Sequence, residues 1–197
     1  MKPDLFIVAD TLTPNDGNEH TYQVCWNLLT AKTTLDDQTH AVTTVDANNP
    51  NLTIIPLQTT GLEVRSVSAQ TDPELLGWYF RADRIPEYAP ATTVLHTRKG
   101  TGVENFLTLL VPIPSQTSSP LKSVEPKDSD SVIVTFTNGH VFFIVADSDP
   151  NGGIEVTETL PDGSVGRHVK IAAAPAAAAS PLDLGPQRGM TAIGVTR

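Results

Sequence analysis

The chain has 197 residues, 39% of them apolar, and 22 acidic side chains against 13 basic ones give a formal net charge of −9. Those values suit one domain with a sizeable core, and the scattered Lys and Arg argue against a nucleic-acid partner, whose phosphates are held by clustered cations. No stretch approaches the roughly 18 consecutive apolar residues of a membrane-spanning helix, so no membrane partner is expected.

The predicted elements are strands. Met1-Lys2-Pro3-Asp4 lacks the charged-then-apolar start of a signal peptide and leads directly into an apolar strand at Leu5–Ala9. His20 to Leu28 alternates, placing Tyr22, Val24, Trp26 and Leu28 on one face. Within that run sits Cys25, the single cysteine, which excludes an internal disulfide and a zinc ribbon and reads as a buried thiol. Leu62 and Val64 begin another strand, Pro73 to Trp78 has room for one helical turn, and Thr92 to Thr97 is a third strand. Val103 to Ile113 is a long apolar segment closed by Pro112 and Pro114. Ser131 to Phe136 and Val141 to Val145 form a hairpin across Thr137-Asn138-Gly139-His140, since Asn-Gly supplies the positive φ a tight turn needs. Both strands are apolar on both faces at their centres, which predicts an interior hairpin covered on each side. Pro175 and Pro181 interrupt the alanine-rich stretch that follows. The pattern predicts an all-β, antiparallel β-sandwich with little or no helix over residues 1–171. A loop or linker over 172–189 and a terminal strand or tail over 190–197 complete it.

Two local patterns carry chemistry. Asp147, Asp149, Asn151, Gly152, Ile154 and Glu158 satisfy the spacing of an EF-hand loop, which would wrap oxygen ligands around calcium. Strands rather than helices flank it, and Pro150 sits within it, so a polar hairpin loop is the competing reading. Gly77-Trp78-Tyr79-Phe80-Arg81 gathers aromatics beside a cation, a composition that suits a sugar surface through ring stacking and carboxylate pairing. Its alternative is a core strand with Trp78 and Phe80 on one buried face. None of the five histidines has metal-ligand spacing; His20, at the start of the alternating strand, is the one with a possible site role, against a hydrogen-bonded strand-end histidine.

Three stretches in order carry a family likeness: Phe6-Ile-Val-Ala-Asp10-Thr-Leu12 leading to His20-Thr-Tyr22-Gln-Val-Cys-Trp26-Asn27-Leu28, then Gly77-Trp-Tyr-Phe80, then Phe106-Leu-Thr108-Leu-Leu-Val-Pro112. Together they resemble the C-terminal β-sheet region of heparinase II/III-like polysaccharide lyases. In that family a D-x-L … H-x-Y-x-x-x-W/F-H-L strand pair is followed later by a T-L-L-x-P strand. Asn27 stands where the family often has a second histidine. The resemblance implies a parent that cleaves acidic, uronic-acid polysaccharides by β-elimination. It also implies an N-terminal helical toroid that supplies most catalytic groups, and a secreted or periplasmic setting. The family's H-x-H-x-D segment is missing here, so no catalytic residue is carried over and the chain alone is expected to be inactive.

Three readings follow. The first is a non-catalytic module packed against that toroid, which should expose an apolar surface when isolated. The second is a free-standing carbohydrate-binding or cell-surface sandwich using His20, Trp78, Tyr79 and Arg81, with calcium at Asp147, Asp149, Asn151 and Glu158 and no other cofactor. The third is a small enzyme that needs His20, Tyr79 and an arginine to converge.

Overall fold

The computed structural model describes residues 3–81, 87–128, 130–147, 153–172 and 187–196. Among them are sixteen strands and no helix. In chain order they are β1 (Pro3–Thr13), β2 (His20–Leu28), β3 (Thr33–Leu35), β4 (Val42–Thr44), β5 (Asn51–Pro56), β6 (Glu63–Ser68), β7 (Trp78–Arg81) and β8 (Glu87–Pro90). There follow β9 (Thr92–Gly100), β10 (Glu104–Ile113), β11 (Leu121–Pro126), β12 (Ser131–Phe136), β13 (Val141–Ala146), β14 (Gly153–Thr159), β15 (Val165–Ala172) and β16 (Gln187–Thr196).

The strands pair antiparallel into a six-stranded sheet, β16-β1-β10-β5-β4-β3, a five-stranded meander, β11-β12-β13-β14-β15, a three-stranded sheet, β2-β9-β6, and a two-stranded arm, β7-β8. The six-stranded sheet is the middle of three layers. Because side chains alternate along a strand, β10 sends Leu107, Leu109 and Val111 to one side and Phe106 and Leu110 to the other. On the first side they join Leu5, Ile7 and Ile55 against Val132, Val134, Phe136, Phe142, Ile144, Ile154 and Val156 of the meander. On the second side Phe106 meets Tyr22, Val24 and Leu62, and Val42 and Ile54 meet Val94 of the three-stranded sheet. The sandwich therefore has two successive cores that share one sheet, and each fully buried aliphatic or Phe side chain contributes about 1.5–3 kcal/mol.

The Asn-Gly hairpin forms, with Gly139 at φ 85° and the Gly139 N–H on the Phe136 carbonyl at 3.0 Å. Its two strands are interior to the meander but covered on one face only. Val132, Val134, Phe142 and Ile144 are sealed, whereas Phe143 on the opposite face is 37% exposed. Two other expectations need correction. Cys25 is exposed, because it alternates with the inward-facing Tyr22, Val24 and Trp26. Residues Pro73 to Trp78 form no helical turn; a bridge from Gln70 to Leu76 closes a loop there, which then runs into β7.

Candidate functional site

The aromatic segment forms the arm. Its root is Gly77, whose carbonyl accepts the N–H groups of Ala69 and Ala91 and whose own N–H donates to Thr93 Oγ1 at 3.1 Å. Gly77 adopts φ 71°, and a Cβ there would stand 2.5 Å from the Val67 carbonyl oxygen, so only glycine fits. Trp78 is half-buried with its indole N–H committed to the Gln70 carbonyl at 2.8 Å, and Tyr79 is half-buried beside it. The open rings are Phe80 and Tyr88, 53% and 61% exposed, in an edge-to-face pair with centroids 5.7 Å apart. The face expected to hold Trp78 and Phe80 in the core is thus not covered at Phe80, because the arm stands apart from the larger sheets. Arg81 closes β7 and its side chain lies outside the described residues.

His20 does not join this cluster. The β2–β9 register sets His20 opposite Gly100 and Leu28 opposite Thr92, while Trp78 pairs with Pro90, just before β9 begins. At a rise of about 3.3 Å per residue, His20 and the arm are separated by on the order of 26 Å of strand. His20 Nε2 instead lies 2.7 Å from Asp16 Oδ1 in the turn before β2. The Asn18 N–H, followed by His20, holds that carboxyl below its ordinary range. The convergence of His20 with Tyr79 needed by the small-enzyme reading is absent.

The calcium pattern is divided as well. Asp147 sits at the loop end of the β13–β14 hairpin, its N–H on the Gly153 carbonyl at 2.9 Å. Glu158 lies five residues further along β14, in register with Phe142 near the opposite end. It faces inward, 3% exposed, with Oε1 2.7 Å from His140 Nδ1 and Oε2 3.4 Å from Arg167 Nε. Spacing that closes a loop in an EF-hand is stretched out here by strand geometry, so these two members of the pattern are not brought together. Asp149 and Asn151 lie outside the described residues.

Three features were not anticipated. First, Leu29, Leu75, Phe80 and Tyr88 are 82%, 63%, 53% and 61% exposed. All lie within a few residues of the junction where Gly77 and Ala91 join β9 and the Thr92 hydroxyl donates to the Thr30 carbonyl at 2.6 Å. Isolated positions in a polar loop and a short strand gave little sign that they would share one end. Second, a groove of about 470 Å³ opens between the β3–β4 rim and β11. Its lining mixes Thr and Ser residues, Thr43, Thr53 and Ser123 among them, with the apolar Leu35, Ile55 and Leu121, and Asp36 and Lys122 are its charged members. Thr43 and Thr53 meet on it at 3.1 Å. Hydrogen bonds, led by the Thr39 N–H, hold the Asp36 carboxyl below its ordinary range.

Third, polar groups lie in the core between the middle and three-stranded sheets. His96 is 0% exposed and neither ring nitrogen has a hydrogen-bond partner. Burial first, then the positive charge of Arg98, pulls its pKa down to about 4. Arg98 rivets the layers together: Nη1 donates to the Asn105 carbonyl at 2.9 Å and Nη2 to the Gln58 carbonyl, while the guanidinium lies 5.3 Å from the Phe106 ring centroid. The sequence signal for His96 was its place between Leu95 and Thr97 in a strand apolar enough to be sealed.

Fold and surface together define an all-β sandwich protein with exposed apolar side chains at one end and a groove of mixed polar and apolar lining. No family model, curated protein or solved structure matches the chain.

Proposed function

We propose that this chain is a non-catalytic β-sandwich module of a heparinase II/III-like polysaccharide lyase. In that role it packs against a helical catalytic domain and supports cleavage of an acidic polysaccharide carried out mainly by that partner. The observation that carries the reading is the exposure of Leu29, Leu75 and the contacting Phe80–Tyr88 pair around one end of the three-stranded sheet, apolar side chains of the kind that a partner domain covers. The order of the sequence motifs supports it, as does the separation of His20 from the aromatic arm. The net charge of −9 supports leaving the grip on any polyanion to the partner rather than to this module.

The test is the reading frame upstream of the codon for Lys2. A frame that continues through a helix-rich region and an H-x-H-x-D segment sustains the module. A stop codon and ribosome-binding site directly before Met1 overturn it. A second reading, a carbohydrate-binding sandwich, is favoured by the groove rather than by Trp78 and Tyr79. Its hydroxyls can exchange hydrogen bonds with a sugar, and its volume lies in the range of small-molecule sites. Amide shifts at Thr43, Thr53 and Ser123 on titration with neutral disaccharides would support it, and unchanged spectra would remove it.

A further inference from the structure

The two cores differ in chemistry. The one between the middle sheet and the meander is built from aliphatic and Phe side chains, and its marginal carboxylate, Glu158, is paired with His140 and Arg167. The other encloses an imidazole with no partner. His96 stands on β9 opposite Val24 of β2 and Val64 of β6, and the middle sheet closes over this face with Phe106, Val42 and Ile54. A neutral imidazole is tolerated there. An imidazolium would carry two N–H donors and a full charge into a site where neither ring nitrogen has a hydrogen-bond partner.

The surrounding charges do not rescue the cation. Arg98, two residues along β9, and His40, before β4, both act on His96 to disfavour its charged form. Glu104 at the start of β10 is 3.8 Å from Arg98. Asp10 on β1 is buried in register with Phe106. Tyr22 on β2 sends its hydroxyl to the Gly102 carbonyl at 2.6 Å. None of these three supplies a hydrogen bond to either His96 nitrogen.

We infer that the three-stranded sheet is an acid-releasable layer: protonation of His96 parts β2, β9 and β6 from the middle sheet while the middle sheet and the meander stay packed. Among the described residues no hydrogen-bonded strand pairing joins β2, β9 or β6 to the middle sheet. Side-chain contacts across the layers include Arg98 and the Thr33–Ser66 hydroxyl pair at 2.8 Å. The two sheets can therefore separate without breaking a β-ladder.

The test uses the full chain carrying Trp78→Phe, so that Trp26, which packs in the second core, is the sole tryptophan. Trp26 emission is followed from neutral pH to pH 4 alongside amide hydrogen exchange. The expected result is a red shift of Trp26 and loss of protection in β2, β6 and β9 at a pH where β12, β13 and β14 remain protected. His96→Leu is expected to move that transition down by about a pH unit or more; if it does not fold, His96→Gln, which cannot titrate in this range, takes its place. Simultaneous loss of all three layers, no transition before general acid unfolding, or an unmoved transition in the non-titrating variant would each overturn the inference.

Discussion

Asn27 Oδ1 accepts the hydroxyl proton of Thr93 at 2.9 Å, and the same hydroxyl oxygen accepts the Gly77 N–H. One relay thus runs from β2 through β9 to the root of the aromatic arm. The Asn27 amide oxygen is thereby tied to Thr93. Thr93→Val should cost about 1–2 kcal/mol by stranding the Gly77 N–H and the Asn27 oxygen. Urea unfolding would read the loss, with faster amide exchange at Gly77 as its local signature.

Gly77→Ala should be more damaging. The added Cβ meets backbone atoms of Val67 and Ser68 rather than a flexible side chain, and φ 71° disfavours any L residue. A loss of about 2–3 kcal/mol is expected, read by thermal unfolding. Gly61→Ala, with nothing within 4 Å at φ 65°, should cost only about 1 kcal/mol.

Stability should rise with pH through the range set by His96. The unfolded chain takes up a proton near the ordinary value of 6.5, whereas the folded chain refuses it until about 4. Stability that is full above 6.5 is therefore lost as the pH falls towards 4, by about 3 kcal/mol at most. The carboxyls held below their ordinary range, Asp16, Asp36, Asp46, Asp128, Glu155 and Asp162, lose their contributions in a lower window. Urea midpoints at a series of pH values would show the slope, and His96→Leu should flatten it.

Glu158→Ala should cost about 1–3 kcal/mol, because it removes a nearly sealed carboxylate and leaves the partly exposed His140 and Arg167 without their shared partner. Glu158→Gln should recover part of that. Calorimetry of both variants separates the lost charge from the lost volume.

Phe80→Ser with Tyr88→Ser should leave thermal stability within about 0.5 kcal/mol of the parent, since both rings are mainly in solvent. The same pair should reduce binding of an apolar dye. If the helical partner docks on this end, it should also weaken association measured by light scattering.

Much of the fold could be read from alternation. Tyr22, Val24, Trp26 and Leu28 share a face as their spacing requires, and Asn138-Gly139 makes its hairpin. The layering could not be read. Ile133, Phe143 and Val145 make the β12–β13 hairpin look covered on both sides, yet it is β10 that is packed between two cores. An apolar run records that side chains avoid water on average, not how many sheets meet them. The site was less legible still. Counting residues from Asp147 to Glu158 presumes a closed loop, whereas β14 carries each residue about 3.3 Å further from the loop. His96 lacked any linear motif because its interest comes from what surrounds it in space.

The middle sheet has a consequence for synthesis. Ile7 pairs with Leu109 on one side and Ile193 on the other, so during synthesis β1 waits for one partner about a hundred residues later and for another, β16, later still. The meander, whose strands are successive neighbours, can assemble from local hairpins during that delay. Both edges of β1 meanwhile remain open to pairing with the wrong strand or another chain. Production yield should therefore respond more to translation speed and temperature than equilibrium stability alone would suggest.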